Sequence, residues 1–203
     1  MPDIHVPNLD EHAHAGKSFL KIALEVLLIG TGVFLGLMGE QWRESRHHRE
    51  LAESALHRFR TEIEANRKAV ADVKDYHVQL RKEIEAYLAA TPKDRTTNSI
   101  HMRGVRPAFI EQTAWELAVA TQALTYMDQE LAFALSRMHL YEQVYLQLTQ
   151  GMLQAMYLRP PDENPVAFFT MLDVYFADTT GGEPKLIDMY DDAVKQIDRA
   201  LSR

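Results

Sequence analysis

Between residues 43 and 90, apolar residues recur at alternating intervals of four and three. The positions are Ala52, Leu56, Phe59, Ile63, Asn66, Val70, Val73, His77, Leu80, Ile84 and Tyr87. This spacing is typical of the seam of a left-handed coiled coil, and the absence of Pro and Gly between Gly39 and Pro92 predicts one uninterrupted helix. Asn66 and His77 are the polar members of this seam. They either fix the register of helix pairing or meet water at the edge of a bundle.

A second periodic stretch begins at Pro107, which suits the first position of a helix. Its regularly spaced positions are Ile110, Thr113, Leu117, Ala120, Leu124, Met127, Leu131, Ala134, Met138, Tyr141, Tyr145, Leu148, Met152 and Ala155. Residues 91 to 107 contain turn formers and predict a loop at the far tip of the first helix. The two helices are expected to form an antiparallel hairpin. A break near Thr125 is the alternative, because residues 125 to 128 resemble a capping box.

The C-terminal part of the chain predicts two shorter helices. Asn164 and Pro165 resemble an N-cap and a first helical residue, and they open an aromatic helix from about 166 to 177. Residues 179 to 184, Thr-Thr-Gly-Gly-Glu-Pro, predict a turn. The last helix has an amphipathic pattern. Its apolar face consists of Leu186, Ile187, Tyr190, Val194, Ile197 and Leu201.

One stretch is apolar on every side. Residues 22 to 39, IALEVLLIGTGVFLGLMG, contain a single charge, Glu25. A helix over residues 19 to 42 is about 35 Å long, which is enough to cross a hydrocarbon core of about 30 Å. Its flanks carry Lys17 and Lys21 on one side and Trp42, Arg43, Arg46 and Arg49 on the other. We predict an uncleaved transmembrane helix; a secretory signal peptide and a buried core helix are the alternatives.

Two features of this stretch bear on how the helix packs. Gly32 and Gly36 form a GxxxG pair, which allows close approach of two membrane helices, so pairing of two anchors is a hypothesis. Glu25 is costly in hydrocarbon. It either pairs with Lys21 near the headgroups or marks a functional intramembrane position.

These elements predict an all-α protein with an N-terminal transmembrane helix that continues into a long helix. We expect a polar, disordered tail over residues 1 to 18, a transmembrane helix over 19 to 42, and a helical bundle or coiled-coil domain over 43 to 203. The expected location is the cell membrane, spanned once. Two positive charges precede the span and three follow it, so the positive-inside rule leaves the orientation undetermined.

Composition excludes several functional classes. The net charge of -7 and the lack of a concentrated basic face argue against a nucleic-acid binder. The chain has no cysteine, which excludes disulfides, thiolate zinc sites and cysteine nucleophiles. Lys93, Arg95, Arg103 and Arg106 make the predicted tip loop basic, which suits either a solvated loop or contact with an acidic partner or a membrane.

Motifs that carry chemistry are few. Glu44 and His47 have the Glu-x-x-His spacing of di-iron bundles, but no second copy of that motif occurs. His12 and His14 lie in the polar tail, where nothing fixes metal geometry. No G-x-S-x-G, H-E-x-x-H or P-loop sequence is present. We therefore expect no enzymatic activity, no cofactor and no metal site.

Residues 25 to 56 and the following FRTEIEANR resemble a group of uncharacterised bacterial single-pass membrane proteins. Residues 114 to 141 are similar to the second helix of that group, so the resemblance covers about half the chain. It implies a bacterial cell membrane and a helical domain on one side, without an activity. Several members have a more basic segment before the span, which would favour an extracytoplasmic domain, whereas this chain has only Lys17 and Lys21 there.

Two functional hypotheses follow. The first is a membrane-anchored, non-catalytic interaction or scaffold protein, which contacts the lipid bilayer, forms a homo-oligomer through anchor and stalk, and binds a protein partner that the sequence does not identify. The second is a membrane-tethered sensor that binds a small ligand between helices. Its site would include Asn66, His77, Trp115, Tyr141 and Tyr145.

Overall fold

The structure is a computed structural model that describes residues 10 to 158 and 164 to 202, with side chains from residue 21 onward except that of Ala23. Its helices are α1 (Asp10–Ala89), α2 (Thr113–Ala120), α3 (Gln129–Leu158) and α4 (Pro165–Leu201). Short 3₁₀ helices occupy Thr97–Ser99 and Ala123–Tyr126. The described residues contain no strand, and the predicted all-α fold is confirmed.

The chain divides into two compact units, Met1–Arg49 and Glu50–Arg203. In the first unit, helix α1 begins at Asp10, so residues 10 to 18 are helical where the sequence predicted the end of a disordered tail. Residues 1 to 9 lie outside the described residues, as do the side chains of His12 and His14. From residue 21 to Arg46, the described side chains of this unit are all exposed.

In the second unit, the predicted seam of α1 faces a core formed by the same chain. The seam positions, now all buried, are Ala52, Leu56, Phe59, Ile63, Asn66, Val70, Val73, His77, Leu80, Ile84 and Tyr87. The periodic pattern therefore identified the buried face of this helix. The polar members Asn66 and His77 do not meet water at the edge of the bundle, because both are inside it.

Helix α4 runs antiparallel to α1 along this face. Arg60 forms a salt bridge with Asp198 at 2.7 Å near one end. About two helical turns further along α1, Arg67 forms a salt bridge with Asp191 at 2.6 Å. At the other end, the rings of Tyr87 and Phe169 lie 4.9 Å apart. Residue numbers thus rise on α1 as they fall on α4.

Helix α3 runs in the same direction as α1 and antiparallel to α4. One core cluster joins the 52 to 73 part of α1 to Leu131, Leu135, Met138 and Tyr145, and a second joins Leu80, Ile84 and Tyr87 to Met152. An antiparallel helical hairpin is therefore present, but α3 and α4 form it. The expected hairpin between α1 and the next long helix is replaced by a parallel pair.

Such a parallel pair requires the chain to travel back along α1, and residues 100 to 112, the return segment, do so without forming a helix. His101 contacts Glu83 and Glu111 contacts Asn66, so ten residues cover seventeen residues of α1. That distance is about 25 Å, or about 2.5 Å per residue, which is an extended chain. Residues 91 to 99 of the predicted loop turn at the end of α1, whereas residues 100 to 107 lie against the helix instead of at its tip.

Helix α2 begins at Thr113, later than the Pro107 start that the sequence predicted, and it ends before a left-handed residue, Gln122, with φ of 58°. Asp128 then caps α3, since its Oδ1 accepts from the amides of Glu130 and Leu131. The alternative of a break near Thr125 is confirmed.

The two predicted C-terminal helices are a single helix, α4, and the turn predicted over residues 179 to 184 is wrong. Gly181, Gly182 and Pro184 all lie inside it. Tertiary contacts outweigh the low helix propensity of Gly and Pro here, because Thr179 and Glu183, which flank the glycines, are buried against the other helices. The predicted N-cap is confirmed, since Asn164 Oδ1 accepts from the amide of Ala167 at 3.0 Å.

Candidate functional site

Most of the buried polar side chains of the second unit form two groups, and Asn66 of α1 is at the centre of the contacts in the first. Its Oδ1 accepts from the amide of Glu111 at 2.9 Å, and its Nδ2 donates to the carbonyl of the same residue at 2.7 Å. The side chain thus pairs with the return segment as a neighbouring strand would. The same Nδ2 also donates to Oε1 of Glu142 on α3 at 3.1 Å.

Glu142 is the carboxyl at the centre of this first group. Tyr190 of α4 donates its hydroxyl to Oε1 at 2.9 Å, so one oxygen receives bonds from two helices. Burial raises the pKa of Glu142 from 4.5 to about 7, although the bonds from Tyr190 and Asn66 oppose this shift. The carboxyl therefore changes its charge near neutral pH, inside the core.

His139 lies beside this carboxyl and stacks on Trp115 of α2, with ring centroids 4.5 Å apart. The amide nitrogen of Gln143 lies 3.0 Å from Nε2, and because an amide can only donate there, Nε2 accepts and Nδ1 carries the ring proton. Burial lowers the pKa of His139, which favours this neutral form. Its buried Nδ1 has no hydrogen-bond partner and stands 3.8 Å from Oε2 of Glu142.

His77 of α1 and Glu183 of α4 form the second group. Nδ1 of His77 lies 2.6 Å from Oε1 of Glu183, and both side chains have no solvent exposure. Nε2 of His77 faces the carbonyls of Val105 and Arg106 at 2.9 and 3.1 Å. Because carbonyls only accept, Nε2 must carry a proton, and one further proton is shared between Nδ1 and the carboxyl. The pair is electrically neutral as a whole wherever that proton resides.

The return segment is shaped to meet this histidine. Gly104 has φ of 84°, and Arg106 has φ of 47°, a left-handed conformation that few residues other than glycine adopt. This bend aims two successive carbonyls at the same ring nitrogen. Tyr145 of α3 completes the group: its hydroxyl accepts from the amide of Ala108 at 3.0 Å and donates to Oε1 of Glu183 at 3.3 Å.

These groups contain some of the residues that the sensor hypothesis named. Asn66, His77 and Tyr145 belong to the polar groups, and Trp115 joins through His139, but Tyr141 is exposed and takes no part. Sequence reasoning missed Glu142, Glu183, His139 and Tyr190. These hydrogen bonds hold the helices and the return segment together. The arrangement also contains one carboxyl group, that of Glu142, whose pKa is about 7.

Two further candidates from the sequence are the Glu-x-x-His motif that begins at Glu44 and the basic loop. Among the described residues, no group of three His, Asp or Glu side chains is placed to hold a metal ion. Glu44 lies 3.9 Å from His48. In the basic loop, Arg95 donates to the carbonyls of Leu88 and Ala90 at the end of α1, and Arg103 and Arg106 lie over the ring of Tyr76.

A surface groove of about 460 Å³ lies between α3 and α4. Val144, Tyr145 and Leu148 line one side, and the glycine pair Gly181 and Gly182 lines the other. A Cβ at either glycine would meet no atom within 4 Å, so the floor of the groove is open. Because Tyr145 reaches both the groove and Glu183, the groove adjoins the His77 group.

The candidate membrane span in α1 has no protein cover. By length and composition this helix is able to cross a membrane, and none of its apolar window is buried. Its large apolar side chains from Ile22 to Met38 are 52 to 66% exposed, and Glu25 is exposed among them. A Cβ at Gly32 or Gly36 would meet no atom within 4 Å. Trp42 stacks under the guanidinium of Arg46 at 4.1 Å.

A second uncovered surface lies on the outward side of α3. Phe133, Leu140, Val144 and Leu158 are 66, 56, 57 and 82% exposed, in line with Gly151. From Met138 to Leu158, Glu142 is the one Asp, Glu, Lys or Arg, and it is buried. The exposed residues between these apolar positions include Gln143, Gln147, Gln150 and Gln154. We call this surface the α3 face.

Comparisons with family models, with curated protein sequences and with solved structures find no match to this chain.

Proposed function

We propose that this chain is a membrane-anchored, non-catalytic helical interaction module. One observation carries the proposal: the chain leaves two apolar surfaces with few charges uncovered, the window of α1 and the α3 face. A bilayer is the solvent that suits the first surface, since its helix satisfies its own backbone hydrogen bonds. The second has the features of a protein interface, with aromatic and aliphatic groups and few charges.

The scaffold hypothesis changes in one respect. The heptad seam of α1 was expected to pair chains, but its positions are buried within the chain's own bundle. Association must therefore use another surface of the second unit or the glycine pair of the anchor. We place the module in the cell membrane with a single span.

Cell fractionation tests the anchor. Full-length protein is compared with a chain that begins at Arg43, and the membrane fraction is washed with carbonate at high pH to remove peripheral proteins. We expect full-length protein in the washed membranes and the shorter chain in the soluble fraction. Full-length protein in the soluble fraction would refute the anchor and leave α1 as a helix covered by protein.

A second candidate function is a membrane-tethered sensor, favoured by the groove between α3 and α4. Its volume of about 460 Å³ lies within the usual range of about 300 to 1,000 Å³ for small-molecule sites. Tyr145 connects it to the buried His77 and Glu183 pair. A ligand there would act directly on contacts that join three helices.

Native mass spectrometry of the purified protein separates this candidate from the first. The variant Gly182→Leu places a side chain in the groove, where a Cβ has open space. A small molecule that accompanies wild-type protein and is absent from Gly182→Leu would support sensing. The same spectrum for both proteins, without added mass, would count against it.

A further inference from the structure

We propose that the α3 face is a self-association surface, on which α3 of one copy packs against α3 of a second copy. This inference rests on the proposed function, because it names the partner of that interaction module. Its occupant is a second copy of this chain, joined through the same patch on both sides, as in a twofold-symmetric dimer.

The geometry of the face suits a helix as its partner. At 3.6 residues per turn, Phe133, Leu140, Val144, Gly151 and Leu158 lie within about 20° of one line along α3. The line is about 38 Å long at 1.5 Å per residue. A Cβ at Gly151 would meet no atom within 4 Å, so a second backbone can come close there.

The distribution of charge favours the α3 face of a second copy as that partner. The outward sides of the other long helices are charged: on α1 by Glu53, Arg58, Glu64, Lys68, Asp72, Asp75, Lys82 and Glu85, and on α4 by Asp178, Lys185, Asp188, Asp192, Lys195, Asp198 and Arg199. A charged surface laid on the α3 face would lose water without gaining an opposite charge. The α3 face is complementary to itself, because glutamine amides both donate and accept and the apolar groups need only each other.

A bilayer is a poorer occupant for the same reason. Helices that lie on membrane surfaces usually combine an apolar face with flanking Lys and Arg, whereas the exposed charges of α3 are Glu130 and Arg137 near its start. The anchor also favours self-association. It confines copies to one membrane and so raises their effective concentration, and its own glycine pair is uncovered.

Cysteine cross-linking tests the proposal directly, since the natural chain contains no cysteine. Full-length Val144→Cys is oxidised in native membranes. Val144 lies near the middle of the face, so the two copies of this residue approach each other whether the helices pair parallel or antiparallel. We expect a disulfide-linked dimer from Val144→Cys and none from Asp75→Cys, an exposed control on the outer side of α1.

A mass measurement in detergent completes the test. The double variant Leu140→Glu/Val144→Glu should weaken dimerisation roughly tenfold or more, because each copy would then present unpaired carboxylates to the other. Its helical content by circular dichroism should equal that of wild type, since both side chains are exposed. Wild type should have twice the protein mass of one chain.

Three outcomes would overturn the proposal. One is a monomeric wild type without a Val144→Cys cross-link. Another is a dimer that Gly36→Ile abolishes and Leu140→Glu/Val144→Glu leaves intact, which would place association in the anchor. The third concerns the reaction of the Val144→Cys thiol with a water-soluble thiol reagent. If membranes block this reaction while the protein is monomeric, the bilayer covers the α3 face. Because fractionation reports on the anchor separately, a soluble full-length protein would refute the anchor while the mass measurement still tests the α3 face.

Discussion

Glu142 links three helices and the return segment through one carboxyl group. It accepts from Tyr190 of α4 and from Asn66 of α1, which itself holds Glu111. Other titratable groups act on it from each side: Glu62 of α1 raises its pKa, and His139 of α3 lies 3.8 Å away. Protonation of this group is therefore coupled to the contacts that close the bundle.

The first prediction is a pH-dependent stability that depends on Glu142. Between about pH 4.5 and about pH 7 the unfolded carboxyl loses its proton while the folded one keeps it, so unfolding becomes easier as pH rises. The full effect is about 3 kcal/mol and levels off above the folded pKa. Glu142→Gln should remove this contribution, since Gln cannot ionise.

Urea unfolding at pH 5, 6, 7 and 8 measures the effect as the difference in unfolding free energy between Glu142→Gln and wild type. Burial lowers the pKa of His139, so its own contribution to stability rises with pH. Both proteins contain His139, and its contribution cancels in the difference. The exposed Glu130→Gln on the same helix is the control. If the unfolding free energies of wild type and Glu142→Gln changed equally with pH, the pKa of Glu142 would be the same in the folded and unfolded protein, and the prediction would be wrong.

The second prediction concerns Asn66. Asn66→Ala removes both bonds to the backbone of Glu111 and the bond to Glu142, with an expected loss of about 2 to 4 kcal/mol of stability. The return segment should open more often, and trypsin should cut faster after Arg103. Asp75→Ala, exposed on the same helix, should leave the cutting rate unchanged. Equal rates for wild type and Asn66→Ala would show that Asn66 does not hold the segment.

Asn66 and His77 were recognisable from the sequence because polar residues occupied positions that periodicity assigns to a buried face. Glu142 was missed because Met138 and Tyr145 are seven residues apart, and either Tyr141 or Glu142 completes a four-three spacing between them. Tyr is the more apolar choice, but Tyr141 is exposed and Glu142 is buried. Spacing alone does not resolve that choice, since the decision comes from the partners, Asn66 and Tyr190.

At the scale of elements, α4 shows how tertiary contacts override local signals. Two glycines and a proline within six residues predict a turn, yet the helix continues from Pro165 to Leu201. Within this stretch, the buried Glu183 contacts His77 of α1, and the Thr179 hydroxyl donates to the carbonyl of Tyr175. Helical structure there depends on the other helices rather than on propensity.

The third prediction tests that continuity. Gly181→Ala should stabilise the protein by up to about 1 kcal/mol, because alanine favours a helix and its Cβ meets no atom within 4 Å. Gly104→Ala is the matched control and should destabilise it, since φ of 84° strains an alanine. Thermal or urea unfolding of both variants measures the signs. A loss of stability in Gly181→Ala would indicate a turn at this position.

The return segment was the element least accessible from sequence. Its first part, residues 100 to 107, lacks periodicity, and a chain without periodicity looks the same whether it is solvated or lies against a helix. Its position comes from side chains far away in sequence, chiefly Asn66, His77 and Tyr145, which bond to its backbone. Backbone groups carry no sequence signature, so this packing was not predictable from the return segment itself.

At the scale of the whole molecule, the apolar window of α1 is uncovered and, by length and composition, able to cross a membrane. The fourth prediction is that Val33→Arg, near the middle of the window, reduces the amount of full-length protein in carbonate-washed membranes. A central Arg costs about 2.5 to 3.5 kcal/mol in membrane insertion. Glu53→Arg, exposed in the second unit, is the control and should fractionate as wild type does. Unchanged membrane content for Val33→Arg would indicate that this window does not enter the hydrocarbon core.

The antiparallel pairing of α1 with α4 also sets a time interval during synthesis. Arg60 and its partner Asp198 are 138 residues apart in the chain. At about 5 to 20 residues per second, a ribosome makes the second on the order of 10 s after the first. During that interval the apolar seam of α1 has no α4 to cover it, so the nascent chain depends on the charged outer side of α1, or on a chaperone, to stay unaggregated.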